Sequence, residues 1–215
     1  MKSIKLLMVA CLLGIASTVS AQFVNSNNSS MSNGSTDATE WQGLRVSYHP
    51  VSINADGGGS LNFSGASVGY IKSFGISGTT PVFLETGANI SWFGGDLETW
   101  DDDEELKLNV FSINVPFNLG YKFMLNETTG IFPYAGLTLR GNIVGNYSGD
   151  GESVSAFDKD LDEGWKLKRF QIGWQIGVGV NFNTFFVGAS YGTDFNEVVK
   201  GGKVAMPSIT IGFNM

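Results

Sequence analysis

Cysteine is nearly absent. The single one, Cys11, sits within the apolar N-terminal segment. If that segment is removed, the mature chain can form no disulfide and offers no thiolate for catalysis or metal binding. Histidine is equally scarce. His49 is the sole one, so any histidine-dependent metal site or nucleophile–base pair must use it. Charged residues make up only 15%, and acidic side chains outnumber basic ones 20 to 13, which argues against a nucleic-acid partner. No phosphate loop, dinucleotide fingerprint or zinc spacing occurs.

The N-terminus has the parts of a secretory signal. Lys2 and Lys5 form the positive region, Leu6 to Ile15 the apolar region, and Val19-Ser20-Ala21 a cleavage site, so residues 1–21 are removed and Gln22 begins the mature chain. The apolar run is too short and too early for a membrane-spanning helix. Cys11 is a poor lipoprotein cysteine, being close to Lys5 with apolar residues continuing past it; an uncleaved anchor is the other alternative. Cleavage takes two lysines with it and moves the formal charge from −7 to −9, 11 basic against 20 acidic residues. Residues 22–40, rich in Ser and Asn with little to bury, are expected to be a flexible leader.

Glycine and phenylalanine are abundant, at 29 and 16 residues. Turn formers are plentiful and helix formers few, as in an all-β chain with many hairpins. In FQIGWQIGVGVNF, residues 170–182, apolar Phe170, Ile172, Trp174, Ile176, Val178, Val180 and Phe182 alternate with Gln, Gly and Asn. Strict alternation predicts a strand with one apolar and one polar face. The pattern recurs over roughly 41–53, 66–76, 82–93, 106–123, 131–147, 170–182, 185–195 and 204–215. In the fourth stretch Leu106, Leu108 and Val110 have the opposite parity to Ile113, Val115 and Phe117, which predicts a bulge near Val110 or Phe111. Pro116 lacks a ladder donor and predicts another. Lys72 shares the apolar face of the second stretch; either it snorkels to an interface or the register there differs.

Short and long connections alternate, and the strands are long enough to cross a bilayer with tilt, which takes about 9–11 residues. Trp41, Tyr48, Trp92, Phe93, Phe123, Phe132, Tyr147, Trp165, Phe182 and Phe185 gather near strand ends and are expected to form the interfacial girdle. Lipid cannot satisfy free backbone groups, so an open sheet edge is excluded there. The expected fold is therefore an antiparallel, eight-stranded, up-and-down transmembrane β-barrel over residues 41–215, with a soluble sandwich or lipocalin-like barrel as the alternative. An eight-stranded lumen is only wide enough for side chains to fill. Parity turns Arg45, Glu85, Lys122, Arg140 and Asp194 inward. They are expected to form a charge-paired plug with Asn89, Asn114, Asn118, Gln171 and Gln175, since buried charges need partners. An ion or solute path is the alternative.

INVPFNLGYKF followed by PYAGLTLRGNI, then IGVGVNFNTFFVGASYGTDFNEV and SITIGFNM, resembles the small outer-membrane β-barrel domain common in Bacteroidota. The resemblance spans roughly 41–215 and includes Pro116, Gly120, Tyr121, Gly177, Gly179, Tyr191 and Gly192. It implies an outer-membrane address and no particular reaction. The chain ends on Met215 where barrels often end on an aromatic, so Phe213 would serve instead in the assembly signal.

Candidate chemistry is sparse. Ser47 and His49 share a face, the one arrangement from which a lipid-modifying wall site could be built. Acidic residues fill two long connections: Asp96, Glu98, Asp101–Glu105 in one, and Asp150, Glu152, Asp158, Asp160, Asp162 and Glu163 in the other. DKDLDEG resembles a calcium loop, but Gly164 comes one place late and Arg169 stands where a bidentate Glu is needed. Asp158, Asp160 and Asp162 are thus weak metal candidates beside the plainer reading of a solvated loop. The expectation is a monomeric, non-enzymatic outer-membrane barrel without cofactor. Its contacts would be membrane lipid and, through the acidic loops, an extracellular or envelope protein. A narrow pore and a lipid-modifying enzyme are the alternatives.

Overall fold

The computed structural model describes residues 39–55, 59–76, 80–97, 106–149 and 151–215. The signal segment, the leader up to residue 38, Glu98, Asp101–Glu105 and Asp150 lie outside the described residues. The strands are β1 (Gln42–Ala55), β2 (Ser60–Gly75), β3 (Val82–Leu97), β4 (Leu106–Tyr121), β5 (Phe123–Met124), β6 (Thr129–Gly149), β7 (Glu152–Ser155), β8 (Phe170–Phe182), β9 (Phe185–Asp194) and β10 (Gly202–Asn214). β5 and β7 are short and pair with β6. The eight long strands close into an antiparallel barrel: β1 pairs with both β2 and β10, and β4 with both β3 and β6.

Alternation sets which side chain faces which way. Leu44, Val46 and Tyr48 of β1, Ile176 and Val178 of β8, Val187 of β9, and Ile209 and Ile211 of β10 are exposed on the outer wall. Gln171 and Asn181 of β8 are buried inside. An apolar surface of this extent is stable only when lipid covers it. From Phe170 to Phe182 the outward row runs about 40 Å at roughly 3.3 Å per residue. At a tilt of roughly 40° that is about 30 Å of height, the thickness of a bilayer core. Both ends of the closed wall, Gln42 and Asn214, lie with the short turns. The tightest turn, between β8 and β9, uses Asn183 in the left-handed region, at φ 56°.

Several expectations need correction. β2 begins at Ser60 rather than 66, and β3 runs on to Leu97. β4 keeps one parity throughout, with Leu108 and Val110 buried inside. Their apolar character marks a change in the lumen, which turns apolar at the long-loop end, and not a bulge in β4. The irregularity lies in β6: Phe111 pairs with Val144 but Ser112 with Asn142, so Ile143 is the extra residue. Ile143 and Val144 both face outward in consequence. Pro116 causes no bulge either. The β3–β4 ladder skips Gly87 and Ala88 and resumes in the same register. Lys72 does lie on the outer face, three residues from the end of β2, with Nζ 5.0 Å from the Phe74 ring centre.

The girdle expectation is partly overturned. Tyr48, Phe123, Phe182 and Phe185 are exposed on the wall and Trp165 in a loop, and Trp92 is half-buried. Trp41, Phe93, Phe132 and Tyr147 are buried inside. Trp41, Phe83, Phe132 and Phe186, with Ile71, make an apolar layer across the short-turn end of the lumen. Trp41 packs edge-on against Phe83 at 4.7 Å, and Phe132 stacks on Phe186 at 5.6 Å. A second layer closes the long-loop end. There Val51, Phe63, Phe93, Leu108 and Val110 of the wall meet Ala156, Leu167 and Val198 of the connections.

Candidate functional site

Between the two apolar layers lies a polar cavity of about 140 Å³. It is built by inward positions of the whole wall: Arg45, Ser47 and His49 from β1, Ser67 and Ile71 from β2, Glu85 from β3, Asn114 and Asn118 from β4, Thr138 and Arg140 from β6, Gln175 from β8, Ser190 and Asp194 from β9, Ser208 and Thr210 from β10. Cross-strand hydroxyl pairs stitch its floor and walls. Ser47 and Thr210 meet at 2.7 Å, and Ser190 and Ser208 at 2.6 Å.

The five charged residues assigned inward do not form one cluster. Arg140 and Asp194, both buried, form a hydrogen-bonded ion pair. Glu85 accepts from Asn118 Nδ2 at 3.1 Å, and Asn118 Oδ1 accepts from Gln175 Nε2 at 2.6 Å, a chain that crosses the lumen. Arg45 turns toward the short-turn end. Its Nη2 donates to Asn214 Oδ1 at 2.6 Å, and its guanidinium lies 3.9 Å over the Phe186 ring. Lys122 follows the end of β4, outside the cavity lining, with Nζ 4.9 Å from the Trp41 ring centre. Above the cavity, Asn142 Nδ2 donates to Gln171 Oε1 at 2.8 Å, and Asn142 Oδ1 accepts from Ser112 at 2.7 Å. Of the amides named with the charges, Gln171 thus sits in the upper layer, and Asn114 donates to Ser91 at 2.7 Å.

The inward aromatics escaped the sequence reading, although a signal for them exists. Phe83 pairs with Gly120, and Phe132 with Gly179. A Cβ at Gly120 would stand 2.2 Å from Phe83 Cζ, and one at Gly179 would stand 2.3 Å from Phe132 Cε2. The inward glycines are small because neighbouring rings lie across their backbone. That accounts for much of the small polar face of residues 170–182.

The remaining candidates are not assembled into chemistry. The Ser47 hydroxyl bonds Thr210 rather than His49. His49 Nε2 is buried without a hydrogen-bond partner, with the Trp92 backbone beside the ring. Asp158, Asp160 and Asp162 are exposed in the β7–β8 connection, and Asp158 Oδ1 accepts from the Asp160 N–H at 3.1 Å. Among the described residues no group of three or more His, Cys, Asp or Glu converges on a common point. Two ion pairs instead tie that connection to the β9–β10 connection: Lys200–Glu163 at 2.9 Å and Lys168–Glu197 at 3.2 Å. Their hydrogen bonds hold Glu163 and Glu197 below the ordinary carboxylate value, and Glu163 in turn raises Lys200.

The family described as outer membrane protein beta-barrel domain matches residues 14–199. No curated protein matches the chain. Among solved structures, the attachment invasion locus protein Ail of Yersinia pestis, in complex with the heparin analogue sucrose octasulfate, is 16% identical. The match covers 82% of this chain and 99% of that one, with a TM-score of 0.47. Neisserial surface protein A is 12% identical over 80% and 96% of the two chains, with a TM-score of 0.47. The N-terminal barrel domain of Pseudomonas aeruginosa OprF is 15% identical over 85% and 100%, with a TM-score of 0.34.

Proposed function

The chain belongs to the outer membrane protein beta-barrel domain family, and on that premise we propose that it is a closed, non-enzymatic barrel acting through its surface loops. It resides in the cell outer membrane. Residues 1–21 serve as its export signal, and the long-loop end faces outward. The lumen supports the structural half of this reading. Buried rings fill one end, an aliphatic and aromatic layer fills the other, and the polar groups between them are largely bonded to one another. That is the packing of a wall braced from within, and among the described residues the Ser47 hydroxyl is bonded to Thr210 rather than to His49.

The surface half is supported by the ordered cap. Ala156, Leu167 and Val198 anchor the two longest described connections in the upper layer, and the ion pairs Lys200–Glu163 and Lys168–Glu197 join them. Ordered loops present a fixed face and lose little entropy when a partner binds. Amine labelling of intact cells tests the orientation. Lys159 and Lys200 are expected to react, and Lys122 is expected to react only after the outer membrane is opened. Labelling of Lys122 alone in intact cells would reverse the assignment. Cross-linking from Lys159 in living cells is expected to capture an envelope or extracellular protein; a cross-link pattern identical to that of the heat-unfolded chain would refute a surface role.

A further inference from the structure

The seam between β1 and β10 has a break. Its ladder runs from Gly43–Asn214 to Tyr48–Ile209, then resumes at Ser52–Ala205 in the same register. That register sets Pro50 opposite Pro207, His49 opposite Ser208 and Val51 opposite Met206. The hydrogen-bonding phase is fixed at the end of the seam, where the Met215 N–H donates to the Gln42 carbonyl at 2.8 Å. Counting by twos from Gln42, residue 50 falls on a pair that should exchange two N–H···O=C bonds across this seam. Proline has no N–H, so both bonds are missing and two carbonyls face each other without a donor. Bonded pairs on either side of the break are four residues apart, about 13 Å of seam.

The break sits at a telling height. Below it on the outer wall lie Leu44, Val46 and Tyr48, and above it lie the polar Ser52 and Asn54. Pro50 and Pro207 are exposed at the upper border of the apolar band. Behind them is the polar cavity, lined from both sides of the break by Ser47 and His49 of β1 and by Met206, Ser208 and Thr210 of β10. His49 Nε2 is buried there without a hydrogen-bond partner.

We propose that the Pro50–Pro207 break is a lateral opening through which the head of a membrane-dissolved, uncharged single-chain amphiphile enters the cavity. Three features select that chemistry. The lining carries two cations, Arg45 and Arg140, and two carboxylates, Glu85 and Asp194, so the cavity has no net charge to offer an ionic head. Its remaining lining combines hydroxyls and amides, which suit an alcohol, with apolar Ile71, Phe186, Val204 and Met206. At about 140 Å³ it is smaller than the roughly 300 Å³ of an ordinary ligand pocket. Only a small head fits, and the tail stays in lipid. A seam that lacks the two bonds of one residue pair parts there at less cost than a seam bonded throughout, and parting gives the two carbonyls access to a hydroxyl donor. The inference does not depend on the proposed surface role of the loops.

The test uses the full protein purified from outer membranes and reconstituted in neutral phospholipid vesicles. The probe is a monoacylglycerol carrying a photoactivatable diazirine near its glycerol head, with adducts mapped by peptide mass spectrometry. Adducts on inward Ser47, His49, Met206 or Ser208, competed by unlabelled monoacylglycerol, are expected. Pro50→Val together with Pro207→Val restores both donors and is expected to cut those adducts at least tenfold, with outward adducts on Tyr48 and Ile209 unchanged. Pro50→Val alone restores one donor and should fall between. A gel shift on heating reports that each variant is folded. Adducts confined to outward residues in the native protein would overturn the proposal. So would equal inward labelling in the native and doubly substituted proteins.

Discussion

Replacing Asp194 by Ala isolates the strongest polar interaction in the lumen. Arg140 and Asp194 have side chains that are each 6% exposed, and Arg140 Nε has no hydrogen-bond partner even in the intact protein. Removing the carboxylate leaves a buried guanidinium without its bound anion. Breaking a buried pair in this way costs about 3–5 kcal/mol, because the remaining charge stays desolvated. At 1.36 kcal/mol per tenfold, that lowers the folding equilibrium constant by roughly 150-fold to 5,000-fold. Equilibrium urea unfolding of the barrel in phospholipid vesicles, followed by tryptophan emission, reads the change as a shift in midpoint at constant slope. The double variant Arg140→Leu with Asp194→Leu removes both charges and keeps the volume filled. It is expected to recover most of the loss, since apolar replacement of a buried pair is often neutral or better. A loss under about 1 kcal/mol for Asp194→Ala, or a double variant as unstable as the single one, would refute the reasoning.

Three further outcomes are expected. Phe132→Ala, which opens the ring cluster with Trp41, Phe83 and Phe186, should cost about 3–5 kcal/mol in the same unfolding assay. Gly120→Val sets a Cβ 2.2 Å from Phe83 Cζ and should cost about 1–3 kcal/mol by overpacking, with Phe83→Ala in the same chain relieving part of it. The loop ties should follow pH and salt. Glu163 and Glu197 are held below 4.5, so their contribution is full above that value and fades as pH falls through the lowered one. Lys200 is held above 10.5, so its contribution is full below that value and fades as pH rises through the raised one. Amide exchange of residues 157–168 and 195–201, corrected for intrinsic rates, should quicken at both extremes and in high salt. Protection unchanged across that range would remove the ion pairs from the account.

The barrel was legible in the sequence because its outer face repeats one rule. Lipid accepts only apolar side chains, so Phe170 to Phe182 alternate without exception, and strands on both sides follow suit. The lumen follows no single rule. It is apolar at Phe83 and Phe132, polar at Ser47 and Asn118, and apolar again at Val51 and Leu108. A change of chemistry on one continuous face looks, in sequence, like a change of face. That is why Leu106 to Val110 suggested a bulge in β4, while the actual bulge at Ile143 left little trace in β6. Aromatics at strand ends carry the same ambiguity. Phe182 and Phe132 both sit near the short turns, yet one faces lipid and the other the lumen. Parity against the neighbouring glycine separates them, and that requires the register. Arg45, Glu85, Arg140 and Asp194 are buried, but which of them pair was not legible. Arg140 and Asp194 are joined through strands 54 positions apart in the chain, whereas Lys122 ends over Trp41.

A lumen closed at both ends by apolar layers is the center of the account. Planar-bilayer recording of the native protein measures it most directly, alongside a variant carrying Phe83→Ala, Phe132→Ala and Phe186→Ala. The native protein is expected to insert without discrete current steps, and the variant, whose short-turn layer is reduced to Trp41 and Ile71, to show more frequent current fluctuations. Steady large steps from the native protein would contradict the account and make the lumen a path.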